Sequence, residues 1–467
     1  MVRLFLSVFV LLTATAIAQV TSAGSAPGAP SSSSTPDAPQ PQTAPPASTS
    51  APPAVPGVPA GTARGSGQQP APTLITLDEA ITLALANSPT LQAARTTVPQ
   101  SQAQEITARM RPNPVLSWDA LFIPIFSPGN FSESFVNNVQ QFDIGVGYLI
   151  ERGHKRQARL QAARDATAVT QSQLYDAERT LTLNVAQQFV NALLAKSNFE
   201  FAQQDLASFQ ETVNICQERY KAGDISEGDL LKIKLQLLQF QTDVASARIA
   251  RAQALGTLRQ LIGFQAVPGN YDVSGELAFQ PLTVGREDLQ ARALHERPDL
   301  KAAQQGVTAA GSQVALAKAN GKQDLDTAFT FSHVSGASSG SVSFSIPLAI
   351  FNRNQGEIAR TRFALTQAQL TEKAAEETVF TDVSNAYEAT KTNQEIVELY
   401  QSGYLNQAQQ SRDISEYAYK RGAAALLDLL DAERSYRSTQ LAYRQALATY
   451  MLSLEQLREA VGSRTLP

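Results

Sequence analysis

The sequence predicts an α+β membrane protein. Its long α-helical coiled-coil barrel is continuous with a transmembrane β-barrel shared between chains, four strands from each, and the chain carries an internal two-fold repeat. Three observations predict this. Ser341 to Ile346 alternates small polar residues with Val342, Phe344 and Ile346, the period of a two-faced strand. After Gly356 the chain turns to helix-forming residues almost to its end. Between Gly153 and Gly223 lies a stretch free of both Pro and Gly. As one helix it spans roughly 100 Å at 1.5 Å per residue, too long for a compact domain.

The 467 residues carry a net charge of −4, so no basic excess points to nucleic acid. The single Cys216 excludes a disulfide framework and any multi-cysteine metal site, and its polar helical neighbours predict an inert packed thiol. His154, His295 and His333 form no i,i+4 pair. No Ser/His/Asp spacing, GxGxxG or P-loop is present, so the prediction is no enzyme and no cofactor.

Residues 1–18 read as a signal peptide: Arg3, the apolar run from Leu4 to Leu12, and Ala16-Ile-Ala18 as cleavage site. The run is too short to span a bilayer, and no Cys follows it to accept a lipid. Residues 19–72 hold Pro, Ala, Ser and Thr with almost no large apolar side chains, which predicts a disordered tether. The folded domain is expected over 73–467, with one repeat at about 74–263 and the second at about 283–462.

The first expected helix starts at Thr76, an N-cap with Glu79 completing a capping box, and breaks at Asn87-Ser-Pro89. A second runs to about Arg111 with a kink at Pro99. Leu116, Trp118, Ala120 and Phe122 then alternate with Ser117, Asp119 and Leu121, and Phe142, Ile144, Val146, Tyr148 and Ile150 with Asp143, Gly145 and Gly147. These predict a strand–loop–strand hairpin, with Trp118, Phe122 and Tyr148 as membrane-interface anchors or barrel packing. The long helix follows, then a turn through Gly223 and Asp224, then a helix ending at Gly263.

The pattern recurs. Leu85 to Ala94 matches Leu294 to Ala303, Tyr220-Lys-Ala-Gly223 matches Tyr419-Lys-Arg-Gly422, and Gly263 matches Gly462. The early match is offset by ten more residues than the later ones, which places an insertion in the first hairpin loop. Strands near Thr327–His333 and Ser341–Ile346 precede a helix from about Gln355 to Arg421, interrupted only at Gly403. The last helix carries a seam at alternating spacings of four and three, Leu429, Glu433, Tyr436, Gln440, Tyr443, Leu447 and onward, with polar interruptions. Gly223 and Gly422 read as helix-to-helix turns.

Four two-faced strands cannot close a membrane barrel alone, since the smallest has eight. An open sheet with one apolar face leaves exposed edges. A barrel shared between chains, apolar side to lipid, resolves both.

The doubled organisation, the turn Tyr419-Lys-Arg-Gly-Ala-Ala-Ala-Leu-Leu-Asp-Leu-Leu-Asp-Ala432 and the junction Ile346-Pro-Leu-Ala-Ile-Phe-Asn-Arg-Asn-Gln-Gly-Glu-Ile-Ala359 resemble the TolC-like outer membrane factors of efflux systems. The junction is most similar to the CzcC-like heavy-metal RND branch. The resemblance implies a homotrimer with a 12-stranded barrel, embedded in outer-membrane lipid, with a helical tunnel through the periplasm. It implies two further partners, a periplasmic adaptor and an inner-membrane pump of RND type. The function it implies is a passive exit duct. Ducts for multidrug export or type I protein secretion are alternatives, and a soluble periplasmic coiled-coil scaffold is the alternative of another class.

Asp428 and Asp431, at i,i+3, share a helix face. By resemblance they lie at the periplasmic end, where three chains gather their carboxylates into a cation-selective gate. The other reading is that they solvate a helix N-terminus, where the dipole favours acids. Asp229 occupies the place of Asp428 in the first repeat, and Tyr419 matches a tyrosine that latches the closed tip. The family's arginine position is Ala424 here. Gly223, Asp224 and Gly422 are expected to meet the adaptor. Pro347, Asn352, Arg353 and Gly356 are expected to mark the strand-to-helix junction at the membrane boundary.

Overall fold

The computed structural model describes residues 72–130 and 132–465. The expected signal peptide and nearly all of the expected tether lie outside the described residues. The chain begins with β1 (Thr73–Ile75), α1 (Leu77–Asn87), α2 (Pro89–Arg95) and α3 (Thr97–Arg109). The capping box of α1 is in place: the Glu79 N–H donates to Thr76 Oγ1 at 3.4 Å, and the Thr76 N–H to Glu79 Oε2 at 2.8 Å. The expected kink falls at Thr96 rather than at Pro99 itself. A proline ring clashes with the carbonyl four residues back, here that of Arg95, where α2 ends.

β2 (Val115–Leu121) and β3 (Gln141–Ile150) form the first hairpin, whose long connection also holds the short α4 (Glu133–Asn138). Phe122, expected in the strand, lies just past it in the left-handed region at φ 62°, so the alternation stops at Leu121. α5 (Lys155–Ala222) is one helix of 68 residues, and α6 (Glu227–Ile262) returns beside it.

β4 (Tyr271–Val273) pairs in parallel with β1, a pairing the sequence did not signal. α7 (Arg286–Glu296) and α8 (Pro298–Asn320) lead to β5 (Leu325–Val334) and β6 (Ala337–Ser345). The turn between these strands holds only Ser335 and Gly336, both at positive φ, so the extra residues of the first half do sit in its hairpin loop. α9 (Gln355–Leu399) passes through a wide π-turn (Tyr400–Tyr404) into α10 (Leu405–Lys420), and α11 (Leu426–Val461) closes the chain. Gly403 sits in that turn at φ 141°, a conformation glycine tolerates.

The four longer strands form one antiparallel sheet in the order β2-β3-β5-β6. Its register sorts the side chains into two faces. Trp118 is opposite Ile144, which is opposite Phe331; Val146 is opposite Phe329, which is opposite Val342. On the other face Ser117, Gly145, Thr330 and Ser341 align, as do Asp119, Asp143, Ser332 and Ser339. Among the described residues no core covers the apolar face: Leu116 is 73% exposed, Trp118 68% and Phe344 70%. The seam expected on α11 packs inward; Leu429, Tyr450, Leu457 and Val461 are buried.

At each junction a strand passes into a long helix through left-handed backbone, Gly153 and His154 before α5 and Asn354 alone before α9. In the second junction Asn352 Oδ1 accepts the Asn354 N–H at 2.9 Å and Arg353 Nε donates to the Ala349 carbonyl at 3.0 Å. Pro347 lies two residues beyond β6. The helix starts at Gln355, so Gly356 falls within its first turn rather than before it. The glycine needed for close approach is Gly321, whose Cβ position would lie 2.7 Å from the Arg353 carbonyl oxygen.

Candidate functional site

The far ends of the long helices form two turns of one construction. After α5, the Asp224 N–H donates to the Arg219 carbonyl at 2.9 Å and the Gly223 N–H to the Tyr220 carbonyl at 3.0 Å. After α10, the Ala423 N–H donates to Ala418 at 2.9 Å and the Gly422 N–H to Tyr419 at 3.0 Å. Both are Schellman caps, with Gly223 at φ 85° and Gly422 at φ 74°. Each following helix has an acid at its third position that serves the cap. Asp229 accepts from Ser226 Oγ at 2.9 Å, and Asp428 Oδ2 accepts the Ala425 N–H at 3.2 Å. Both capping acids are thereby tied to a helix start, where the dipole favours them. Asp431 stands three residues further on α11, exposed, with Arg434 at 3.8 Å.

Tyr419 is buried and joins α10 to α5. Its hydroxyl accepts from Cys216 Sγ at 3.6 Å, and Arg219 Nη1 donates to its carbonyl at 2.7 Å while the guanidinium lies 5.3 Å above its ring. Burial pushes both the phenol and the Cys216 thiol above their ordinary pKa values. Cys216 is the packed thiol expected, but its partner and the role of Arg219 were not legible from the sequence. Phe209 stacks on Phe240 at 4.4 Å in the same cluster, with Val213, Ile233 and Leu429.

Deeper between the limbs lies a layer of buried charge. Arg437 of α11 contacts Asp205 of α5 at 2.6 Å and Asp243 of α6 at 2.5 Å, and its guanidinium lies 4.1 Å over Phe240. Arg412 of α10 stacks on Tyr436 at 4.2 Å. Glu433 faces this layer, and burial pushes its carboxyl up to about 7, with Asp205 and Glu416 adding to the rise and Arg412 and Arg437 opposing it. The polar interruptions of the α11 seam are the signal that could have located this layer.

A protonated Glu433 is favoured by the fold, so its contribution to stability is present at low pH and is lost as pH rises from about 4.5 through about 7. Glu433→Gln is therefore expected to raise the unfolding midpoint at pH 8 and to change it little at pH 5. Thermal denaturation followed by circular dichroism at the two pH values checks this, and an equal effect at both would refute it.

A model of the outer membrane efflux protein family matches residues 80–264 and 289–463. The chain belongs to this family. The two matched blocks each run from a short helix through a strand pair and long helices to a glycine-terminated helix, Gly263 in one and Gly462 in the other. The cobalt-zinc-cadmium resistance protein CzcC of Cupriavidus metallidurans is 22% identical over 371 residues, 79% of this chain and 85% of CzcC. The pyoverdine export outer membrane protein OpmQ of Pseudomonas aeruginosa is 25% identical over 407 residues, 83% of each. A crystal structure of CusC superposes with a TM-score of 0.69 at 20% identity, over 85% of this chain and 96% of that one. The TolC-like resemblance of the sequence is thus borne out. This outer membrane efflux protein is a channel-family member of the outer membrane reaching into the periplasm, and not an enzyme.

Proposed function

We propose that three copies of the chain form a passive exit duct of a tripartite efflux system, their four-stranded sheets closing into one twelve-stranded barrel. The observation that carries this is the sheet itself: one face apolar and uncovered, the other Ser, Gly, Thr and Asp, with β2 and β6 each left with an open edge among the described residues. In lipid an open edge leaves backbone groups unpaired, so the sheet must close with others. α5, α6, α9, α10 and α11 then continue the wall into the periplasm.

An adaptor meets the tips at Gly223, Asp224 and Gly422, and an inner-membrane pump supplies the energy. The cargo is a heavy-metal cation and the pump of RND type, supported by CzcC among the relatives. OpmQ, named for pyoverdine export, supports the alternative of another small-molecule cargo. The tips hold the gate: Tyr419 latches α10 to α5, while Asp428, Asp431 and Asp229 supply carboxylates to the aperture.

Reconstitution into planar bilayers tests the duct and the gate together. Wild-type channels are expected to prefer cations. Asp428→Asn combined with Asp431→Asn is expected to reduce that preference by roughly tenfold, as clefts lined by one sign of charge concentrate counter-ions. Unchanged selectivity in the double variant would refute the gate, and no conductance from the wild type would refute the duct.

A further inference from the structure

Four strand–helix junctions lie side by side at the helical end of the sheet: residues 110–114, 151–154, 321–324 and 346–354. Side chains tie them together. Arg159 donates to the carbonyls of Ala108 and Met110, at 3.1 Å each; Lys155 pairs with Asp324 at 2.7 Å; Asn354 Nδ2 donates to the Ala317 carbonyl at 2.8 Å. The band so formed is positively charged in a chain whose net charge is −4. Of its acids, Glu151 is taken by Arg159 and Asp324 by Lys155, and Asp326 aligns with Ser345 on the polar face of the sheet. Arg152 also acts on Asp324, whose Oδ1 accepts its N–H at 3.0 Å, whereas Arg109, Arg111, Arg156, Lys318 and Lys322 have no carboxylate partner among the described residues.

Two features fix which side of the wall this charge serves. Arg111 and Arg156 line one cavity of about 240 Å³ with Pro112, Tyr148, Leu149 and Ile150, and with Glu151 and Lys155, whose charges are taken by Arg159 and Asp324. Of the β3 residues lining it, Tyr148 and Ile150 lie in register with the apolar sheet face and Leu149 with the polar one, so two of the three continue the surface assigned to lipid. At the same end of the sheet, beyond β6, Leu348, Ile350 and Phe351 form an apolar knuckle, with Phe351 89% exposed, held by the Arg353 bond to Ala349. Along β3 and into α5 the order is apolar strand face and then unpaired cation, and beyond β6 the strand gives way to the apolar knuckle. That is the order of acyl chain and phosphate across a bilayer interface.

We infer that this collar is a docking surface for anionic phospholipid headgroups of the periplasmic leaflet, with a lipid phosphate held between Arg111 and Arg156. The knuckle enters the acyl boundary and the remaining cations hold the next headgroups around the wall. The inference rests on the barrel reading of the sheet.

The test is lipid retention by the full chain reconstituted in nanodiscs of phosphatidylcholine with and without phosphatidylglycerol, read by quantifying each phospholipid kept per protein after delipidating washes. Wild-type protein is expected to enrich phosphatidylglycerol. Arg111→Gln, at an exposed position, and Arg156→Gln, at a half-buried one, are each expected to lower the enrichment about fivefold. About 1 M salt, where the Debye length is about 3 Å, is expected to abolish it. Insertion with equal retention of both lipids, or undiminished enrichment in the variants, would overturn the inference and leave the barrel intact. Altered ion selectivity with unchanged lipid retention would overturn it by placing the cations on the lumen. Failure to insert into either composition would overturn the barrel reading and this inference with it.

Discussion

Replacing Arg437 with methionine is expected to destabilise the helical domain by about 3–5 kcal/mol at neutral pH, the cost of breaking a buried ion pair by removing one partner. Asp205 is almost wholly buried, and burial already raises its pKa against the pull of Arg437. Without the guanidinium only Arg412 opposes the burial of its charge, and the carboxyl escapes the penalty by taking up a proton. The sign follows: a carboxyl whose folded pKa is raised binds more protons folded than unfolded, so stability falls as pH rises. The loss in Arg437→Met is thus expected to be largest near pH 8 and to shrink toward pH 5.

A second consequence is structural, because Arg437 ties α11 to both α5 and α6. Cysteine pairs or spin labels across these helices should report separation near the tips in the variant. Arg437→Met with Asp205→Leu is expected to recover much of the stability, since burying neither charge costs less than burying one. Unfolding midpoints measured across this set decide the matter, and a single variant as stable as wild type would refute the role of the triad.

The parts of the fold legible in the sequence are those set by local period and local backbone chemistry. The switch from period two at Phe344 to a helix at Gln355, the Thr76–Glu79 cap and the stops at Gly223 and Gly422 depend only on neighbours within a few residues. Gly403 was legible for the same reason, although its outcome, a π-turn with α10 beyond it, reflects packing. What was not legible joins distant segments. β1 and β4 are three residues each, too short for alternation to register, and pair across nearly 200 residues of chain. At the tip, the cap chemistry of Asp229 and Asp428 follows from sequence, yet the pairing of Tyr419 with Cys216 and Arg219 requires α5 and α10 to be adjacent. The polar residues in the α11 seam announce a buried charged layer but not its partners, which come from two other helices.

The sharpest division the sheet makes is between neighbours on one strand. Phe329 of β5 lies on the apolar face beside Val146 and Val342; Thr330, the next residue, lies on the polar face beside Gly145 and Ser341. If the apolar face meets lipid, Phe329→Lys places a charge in hydrocarbon, at about 2–4 kcal/mol near the midplane and less near the interfaces. In the proposed trimer each subunit would carry that cost, so the assembled barrel is expected to fail heat-resistant migration in mild detergent and to be lost from the membrane fraction. Thr330→Lys puts the same charge one residue along into the aqueous lumen. It is expected to leave assembly unchanged and to shift bilayer conductance toward anions. A soluble scaffold predicts a different pair of results. There, Phe329 is merely an exposed aromatic, and lysine improves solubility at both positions without affecting localisation. Equal behaviour of the two variants would therefore remove the barrel from the reading, whereas opposite behaviour ties the two faces of this strand to lipid and water.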